Sequence, residues 1–199
     1  MGSKELRTRS TWQDYSGLNA GVAEQNFLSV FEQEFKNTSF RIRSKPGEFK
    51  SIYVDVPLDP YVKSQIYTPD VAIDKHGITP DYAIDNTSTS KTLYVEVKRQ
   101  DGWVEGKPRS AGRGNAHERS CKYFTPGLLN ILRHKGGISE PHLPFWTVFQ
   151  GDISRDPCRV REITLWYGEH KSHFCMWRNS QDPDEVLDHF RIYLKHLLE

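Results

Sequence analysis

The sequence predicts an α/β domain, one mixed β-sheet flanked by α-helices, spanning residues 1–199 as a single unit. Three observations predict it. Apolar residues recur at helical spacing near both ends of the chain. Short blocks of alternating or continuous apolar residues, of strand length, lie between them. The 199 residues, 36% hydrophobic and 12% aromatic, suffice for one buried core.

The elements follow in order. Residues 21–35 place Ala23, Phe27, Val30, Phe31 and Phe35 near helical spacing, so an amphipathic helix is predicted. Residues 52–56 alternate and stop at Pro57, as a strand would. Residues 82–84 and 92–97 are strand candidates, and the polar run 86–90 between them predicts a hairpin. Residues 99–114, rich in Gly, Arg and Asp, read as a loop. A helix is expected from Asn115, which can cap it. A second is expected from Thr125-Pro126 to about His134. Residues 145–149, 162–167 and 174–177 are strand-like. Asp182-Pro183-Asp184-Glu185 opens the last helix as a capping box with Pro at its first position. Val186, Leu187, Phe190, Tyr193, Leu194 and Leu197 form its buried stripe.

Composition narrows the function. No apolar run reaches the length of a membrane span, and the N-terminus lacks the apolar region of a signal peptide, so no membrane partner is expected. Three cysteines fit free thiols in a reducing cytoplasm. The net charge of +1 is uninformative, but its distribution is not. Residues 97–122 carry Lys98, Arg99, Lys107, Arg109, Arg113, Arg119 and Lys122 against Asp101, Glu105 and Glu118. A lone basic cluster is more often a solvated face. This one abuts a candidate nuclease motif, which favours phosphate contact.

That motif is Pro80-Asp81 followed by Glu96-Val97-Lys98. Phosphodiester hydrolysis needs an activated water and neutralisation of charge on the phosphate and leaving oxygen. Mg²⁺ supplies both when carboxylates hold it with open water positions. Strand residues two apart share a face, so Glu96 and Lys98 point the same way and Val97 points into the core. Asp81 and Glu96 are the candidate metal ligands, with the Val97 carbonyl as a further one. Lys98 orients or deprotonates the attacking water, or stabilises charge. Such a short pattern also arises by chance at strand ends. A charged pair inside an apolar strand is costly without a purpose, however. Asp70, of Pro69-Asp70, competes with Asp81. Only Asp81 leads into a strand joined by a short turn to the Glu96 strand. Glu24 on the first helix could approach the site, though a solvated face is its default.

A second cluster follows at once. Gly112 and Gly114 flank Arg113 and permit close backbone approach. Asn pairs with adenine in a bidentate way, and Arg with guanine. Asn115 at a helix N-terminus would reach into the major groove, with Arg119 one turn later on the same face. For Gly114-Asn115-Ala116 alone, a plain helix cap is the commoner reading.

Asp81…Glu96-Val97-Lys98 followed by Gly114-Asn115-Ala116-His117-Glu118-Arg119 resembles the EcoRI branch of the type II restriction endonucleases, of PD-(D/E)XK fold. EcoRI itself carries a similar Gly-Asn-Ala-Ile-Glu-Arg run, with Ile where His117 stands. The likeness to one member of the branch spans nearly the whole chain and is densest through 98–107, 110–125 and 152–164. The resemblance implies a restriction-endonuclease-like sheet and a homodimer. It also implies Mg²⁺-dependent cleavage of double-stranded DNA at a palindrome with a central AATT, and a cognate DNA methyltransferase. Asp81, Glu96 and Lys98 would be catalytic. The run Gly114, Asn115, Ala116, His117, Glu118 and Arg119 would read AATT, and Arg113 the outer C·G pair. The expected target is C^AATTG, leaving 5′ AATT overhangs. The alternative is another outer pair, as in GAATTC or bare AATT.

Other signals carry less. Cys121, Cys158, His170, His173 and Cys175 contain no Cys-x-x-Cys pair, so zinc is not expected. Trp146, Trp166 and Trp177 read as core; Trp103, in the basic loop, is the exception. Two rivals remain: a repair or junction nuclease, which needs no reading cluster, and a non-catalytic DNA-binding protein, which needs no Asp81, Glu96 or Lys98.

Overall fold

The computed structural model describes residues 11–68, 72–100 and 116–199, with side chains from residue 21 on, that of 116 excepted. Five strands form one mixed sheet in the order β1-β2-β3-β4-β5. They are β1 (Phe40–Ser44), β2 (Tyr82–Asn86), β3 (Lys91–Arg99), β4 (Phe145–Gln150) and β5 (Phe174–Trp177). β1, β2 and β3 pair antiparallel; β3, β4 and β5 pair parallel. β3 therefore joins a hairpin meander to a parallel half.

Alternation along β3 builds a core on each face. Leu93, Val95 and Val97 face α1 (Thr11–Glu34) and the C-terminal helices α5 (Asp184–Tyr193) and α6 (Lys195–Leu198). There Phe27 and Phe31 meet the Trp146 indole edge-on at 5.6 and 5.9 Å, and Phe190 meets Phe31 at 5.5 Å. On the other face, Tyr94 packs with Phe49, Tyr123, Leu128, Leu132 and Ile163. Those last three residues come from α3 (Pro126–Gly136) and α4 (Pro157–Tyr167); the short α2 (Pro60–Ser64) buries no side chain. Gly136 lets α3 lie against β3; a methyl group there would meet the Thr92 carbonyl oxygen at 2.4 Å.

The predicted α/β architecture and the β2–β3 hairpin are present, and several elements differ. Residues 52–56 are turns, not a strand. Val54 N–H donates to Ser51 O (3.1 Å) and Val56 N–H to Tyr53 O (3.4 Å), so the backbone closes on itself, while Tyr53 N–H donates to His76 O (2.8 Å). The helix predicted at 21–35 starts ten residues earlier, at Thr11, and β1 went unpredicted. Residues 162–167 belong to α4 rather than a strand. Asp156 caps that helix, accepting from Cys158 N and Arg159 N, and Pro157 sits in its first turn, so β-branched Ile163 and Thr164 are carried in a helix already nucleated. The capping box of α5 is not reciprocal. Asp182 accepts from Asp184 N (3.1 Å), while Glu185 turns away to Arg178 N (2.9 Å). Tyr193, expected in the stripe, is 48% exposed. Among the described residues no helix is long and apolar enough to cross a membrane.

His173 closes a 3₁₀ turn (Gly168–His173) before β5 and is 1% exposed. Its Nδ1 donates to Phe145 O (3.0 Å) and its Nε2 accepts from Leu143 N (3.3 Å), so the ring is neutral. Burial pushes its pKa down to about 4, helped by His170, His142 and His189 and opposed by the Phe145 carbonyl. A folded-state pKa below the unfolded value of about 6.5 means that the unfolded chain binds more protons between the two. Stability from this ring is complete above pH 6.5 and falls as pH drops toward 4, by about 3 kcal/mol. Urea midpoints across this range should show that slope, and His173→Gln should flatten it.

Candidate active site and reading segment

Asp81 lies one residue before the β2 ladder begins, where Tyr82 pairs with Val95. It therefore stands opposite Glu96, and both carboxylates are buried, at 7% and 5% exposure. Asp81 Oδ2 accepts from Val97 N (2.9 Å), so a side chain continues the hairpin's bonding where the β2 backbone ends. Glu96 Oε2 accepts from the Tyr123 hydroxyl (2.9 Å), on the 3₁₀ helix Ala116–Phe124.

Lys98 closes the cluster. Its Nζ lies 2.7 Å from Glu96 Oε1, 3.1 Å from Asp81 Oδ2 and 3.2 Å from the Val97 carbonyl oxygen. These are the three groups predicted to hold a metal, and they converge on one cation. Among the described residues no three His, Cys, Asp or Glu side chains gather as a metal site. The donor set is instead two carboxylates and a carbonyl, all oxygen, which suits a hard divalent cation and leaves positions for water. The residues fit Mg²⁺.

Three groups around the cluster escaped or were undervalued in the sequence reading. Lys45 Nζ donates to Asp81 Oδ1 (2.8 Å) and to Glu24 Oε2 (2.9 Å). Lys45 directly follows β1 at φ 47°, a left-handed conformation uncommon for lysine. Its own N–H donates to Asp81 O (2.9 Å). Glu24 is thus an ion-pair partner rather than a solvated face, and Tyr82 Oη donates to its carbonyl (2.8 Å). Lys45 was hidden because the short β1 before it was not recognised. Tyr123 gave no signal beyond its place in a predicted helix.

The charges settle accordingly. Burial pushes the Asp81 carboxyl up, but the Lys98 charge, the Lys45 bond and charge, and the Val97 N–H outweigh it and hold it below the usual range. Burial and the Glu96 carboxylate push the Tyr123 hydroxyl well above its ordinary value, so it stays a donor.

The chain resembles known proteins over its full length. The family model for the type II restriction enzyme MunI matches residues 1–199. The type II restriction enzyme MunI of Mycoplasma sp is 50% identical over 202 residues, covering all of both chains. The crystal structure of MunI restriction endonuclease in complex with cognate DNA is 49% identical. It superposes at a TM-score of 0.82 over 95% of this chain and 98% of that one. The chain belongs to the MunI family of type II restriction enzymes.

Of the run predicted to read bases, Arg113, Gly114 and Asn115 lie outside the described residues, as do Asp70 and Trp103. Ala116 opens a 3₁₀ helix where an α-helix was expected. Glu118 and Arg119 are exposed. His117, in contrast, is 0% exposed and turned into this MunI-family fold. Its ring stacks on Trp166 at 5.3 Å and 12°. Nδ1 is 3.2 Å from Gln100 Oε1 and Nε2 is 3.2 Å from Glu162 Oε2. Burial and the Arg159 charge lower its pKa against the pull of Glu162, which favours the neutral ring. A neutral imidazole donates through one nitrogen only. With Nε2–H donating to Glu162 Oε2, Nδ1 is left an acceptor, which assigns the Gln100 amide nitrogen, in place of its Oε1, to the side facing the ring. His117 thereby ties the 3₁₀ helix Ala116–Phe124 to the end of β3 and to α4.

Replacing His117 by Ala removes the stacked ring and strands the Gln100 amide, for an expected loss of about 2–4 kcal/mol. Glu118→Ala, in the same turn but exposed, should stay within about 0.5 kcal/mol. Urea unfolding of the two variants checks the contrast.

Proposed function

We propose that this enzyme cleaves double-stranded DNA at the palindrome C^AATTG, leaving 5′ AATT overhangs. It acts with Mg²⁺ as a homodimer in the cytoplasm, and a cognate DNA methyltransferase completes the restriction–modification system. The observation that carries the reading is the convergence of Asp81, Glu96 and the Val97 carbonyl on the Lys98 ammonium. The strand bearing it runs directly into the segment rich in Arg and Gly. Kinship with a restriction enzyme crystallised on cognate DNA supports it further.

Asp81, Glu96 and the Val97 carbonyl would hold Mg²⁺, which supplies an activated water and neutralises charge on the phosphate. The remaining work falls to side chains. Lys45 and the Val97 N–H fix the Asp81 carboxylate by opposite oxygens. Tyr123 fixes Glu96. Lys98 is placed to orient the attacking water and to meet charge at the phosphate. Arg113 reads the outer C·G pair. The run Gly114, Asn115, Ala116, Glu118 and Arg119 reads the inner AATT, and the buried His117 ring anchors the described part of it. Two-fold symmetry of a dimer matches a palindrome.

The test is digestion of plasmid and genomic DNA with Mg²⁺, with an EDTA control, followed by mapping of the cut ends. Discrete fragments with AATT ends flanked by C·G are expected. A smear or structure-specific nicking indicates a repair-type nuclease, and a shifted band without cutting indicates a binding protein. Asp81→Asn should remove several kcal/mol of transition-state stabilisation, roughly 10³-fold or more in rate. Undiminished cutting by that variant moves the metal site elsewhere, with Asp70 first in line.

Arg113→Ala should relax or destroy discrimination at the outer pair, where one bidentate contact is worth about 1–3 kcal/mol. Cut-site sequencing of that variant reads the result. An unaltered preference assigns the outer pair to another residue.

A further inference from the structure

The C-terminal ends of β3, β4 and β5 border a polar cavity of about 160 Å³, separate from the carboxylate cluster. Arg99, Gln150, Gly151, Asp152, Arg155 and Arg178 line it. Its position follows from the register. Arg99 pairs with Gln150, and Gln150 with Trp177. Side chains alternate along a strand, so Arg99 and Gln150 project from the face opposite Lys98. Gly151 ends β4 at φ 89° and ψ −161°, a conformation open essentially to glycine alone. It turns the chain into a 3₁₀ helix (Asp152–Arg155) that brings Arg155 to the rim. Arg178 arrives from the first residue after β5.

Gln150 decides what the cavity is for. It is 1% exposed, and neither its Oε1 nor its Nε2 has a hydrogen-bond partner. A buried amide unmet at both ends is costly, and a leucine would fill the same space without that cost. The amide is satisfied once something polar enters the cavity. Three arginines against Asp152 leave an excess of two positive charges in the lining. The guanidinium fork matches phosphate oxygens in pairs. The volume is about five times a water molecule's share of roughly 30 Å³, enough for a phosphate group and a water.

We propose that this cavity binds a phosphate group, supplied by the DNA backbone at a position other than the bond that is cut. The Gln150 Nε2 donates to a phosphate oxygen, and its Oε1 accepts from an arginine or water drawn in with the anion. The arginines hold the remaining oxygens. The DNA source rests on the DNA-cleaving function proposed above; free inorganic phosphate offers the same chemistry.

Two measurements on the whole chain test it, using Gln150→Leu and the double variant Arg155→Ala/Arg178→Ala. The first is affinity for a CAATTG duplex and an unrelated duplex across a salt series without Mg²⁺. Loss of a backbone contact weakens both duplexes by the same factor and makes the slope of log affinity on log salt shallower by about one per contact. The second is thermal unfolding with inorganic phosphate, which should raise the wild-type midpoint and leave that of the variants unmoved. Gln150→Leu should keep or raise the unfolding midpoint without phosphate, which separates a lost ligand from a damaged fold. A changed salt slope supports a backbone phosphate. An unchanged slope with lost phosphate protection assigns the site to the free anion and overturns the DNA source. Neither change overturns the site altogether. If the wild type binds no DNA, the proposed cleavage function fails, and phosphate protection still decides the cavity.

Discussion

Two carboxylates, Asp81 and Glu96, are buried side by side at one end of a strand pair, and the surroundings are organised by that repulsion. Burying like charges together is tolerable only if cations or donors meet them. Here Lys98 bridges the two, Lys45 takes the far oxygen of Asp81, and Tyr123 takes the far oxygen of Glu96. The partners come from the turn after β1, from β3 itself and from the 3₁₀ helix. One local electrostatic problem thus ties together segments distant in sequence. A site compensated by an ammonium is also one that a divalent cation fits, since the same three oxygens face inward.

The topology supplies the rest. β3 is antiparallel to β2 and parallel to β4, so it is the strand where the two halves of the sheet meet. The hairpin sets Asp81 opposite Glu96. The parallel half gathers the C-terminal ends of β3, β4 and β5 at one edge. Lys98 and Arg99 are consecutive there and point to opposite faces. One face presents the carboxylate cluster and the other the arginine-lined cavity, so a single edge offers two sites of opposite charge character.

The sequence disclosed this site unevenly, for physical reasons. Asp81, Glu96 and Lys98 were readable because charge inside an apolar strand is rare, and because a short polar turn fixes the pairing of β2 with β3. Lys45 was not, since it depends on a five-residue strand with no turn signature and on a left-handed backbone that no local pattern specifies for lysine. Residues 162–167 looked like a strand because Ile163, Thr164 and Trp166 favour that state. The stronger signal was upstream, where Asp156 and Pro157 start a helix that spaces Ile163 and Tyr167 by one turn. Residues 52–56 alternate as a strand would, yet alternation has no consequence without an edge to pair with.

His117 shows how residue type and position carry different information. Its place within Gly114–Arg119 pointed toward DNA, and its chemistry allows base contact. Burial decides otherwise for the ring, whose two nitrogens are taken by Gln100 and Glu162 and whose face is taken by Trp166. Gln100 is two residues beyond Lys98, and its backbone is bonded to Gln150 O and Ile153 N. The imidazole therefore couples the 3₁₀ helix Ala116–Phe124 to the strand that carries Glu96 and Lys98. An isoleucine at this place would fill the core but form no such bonds. Here the segment is held by directed hydrogen bonds, which fix its orientation as well as its depth.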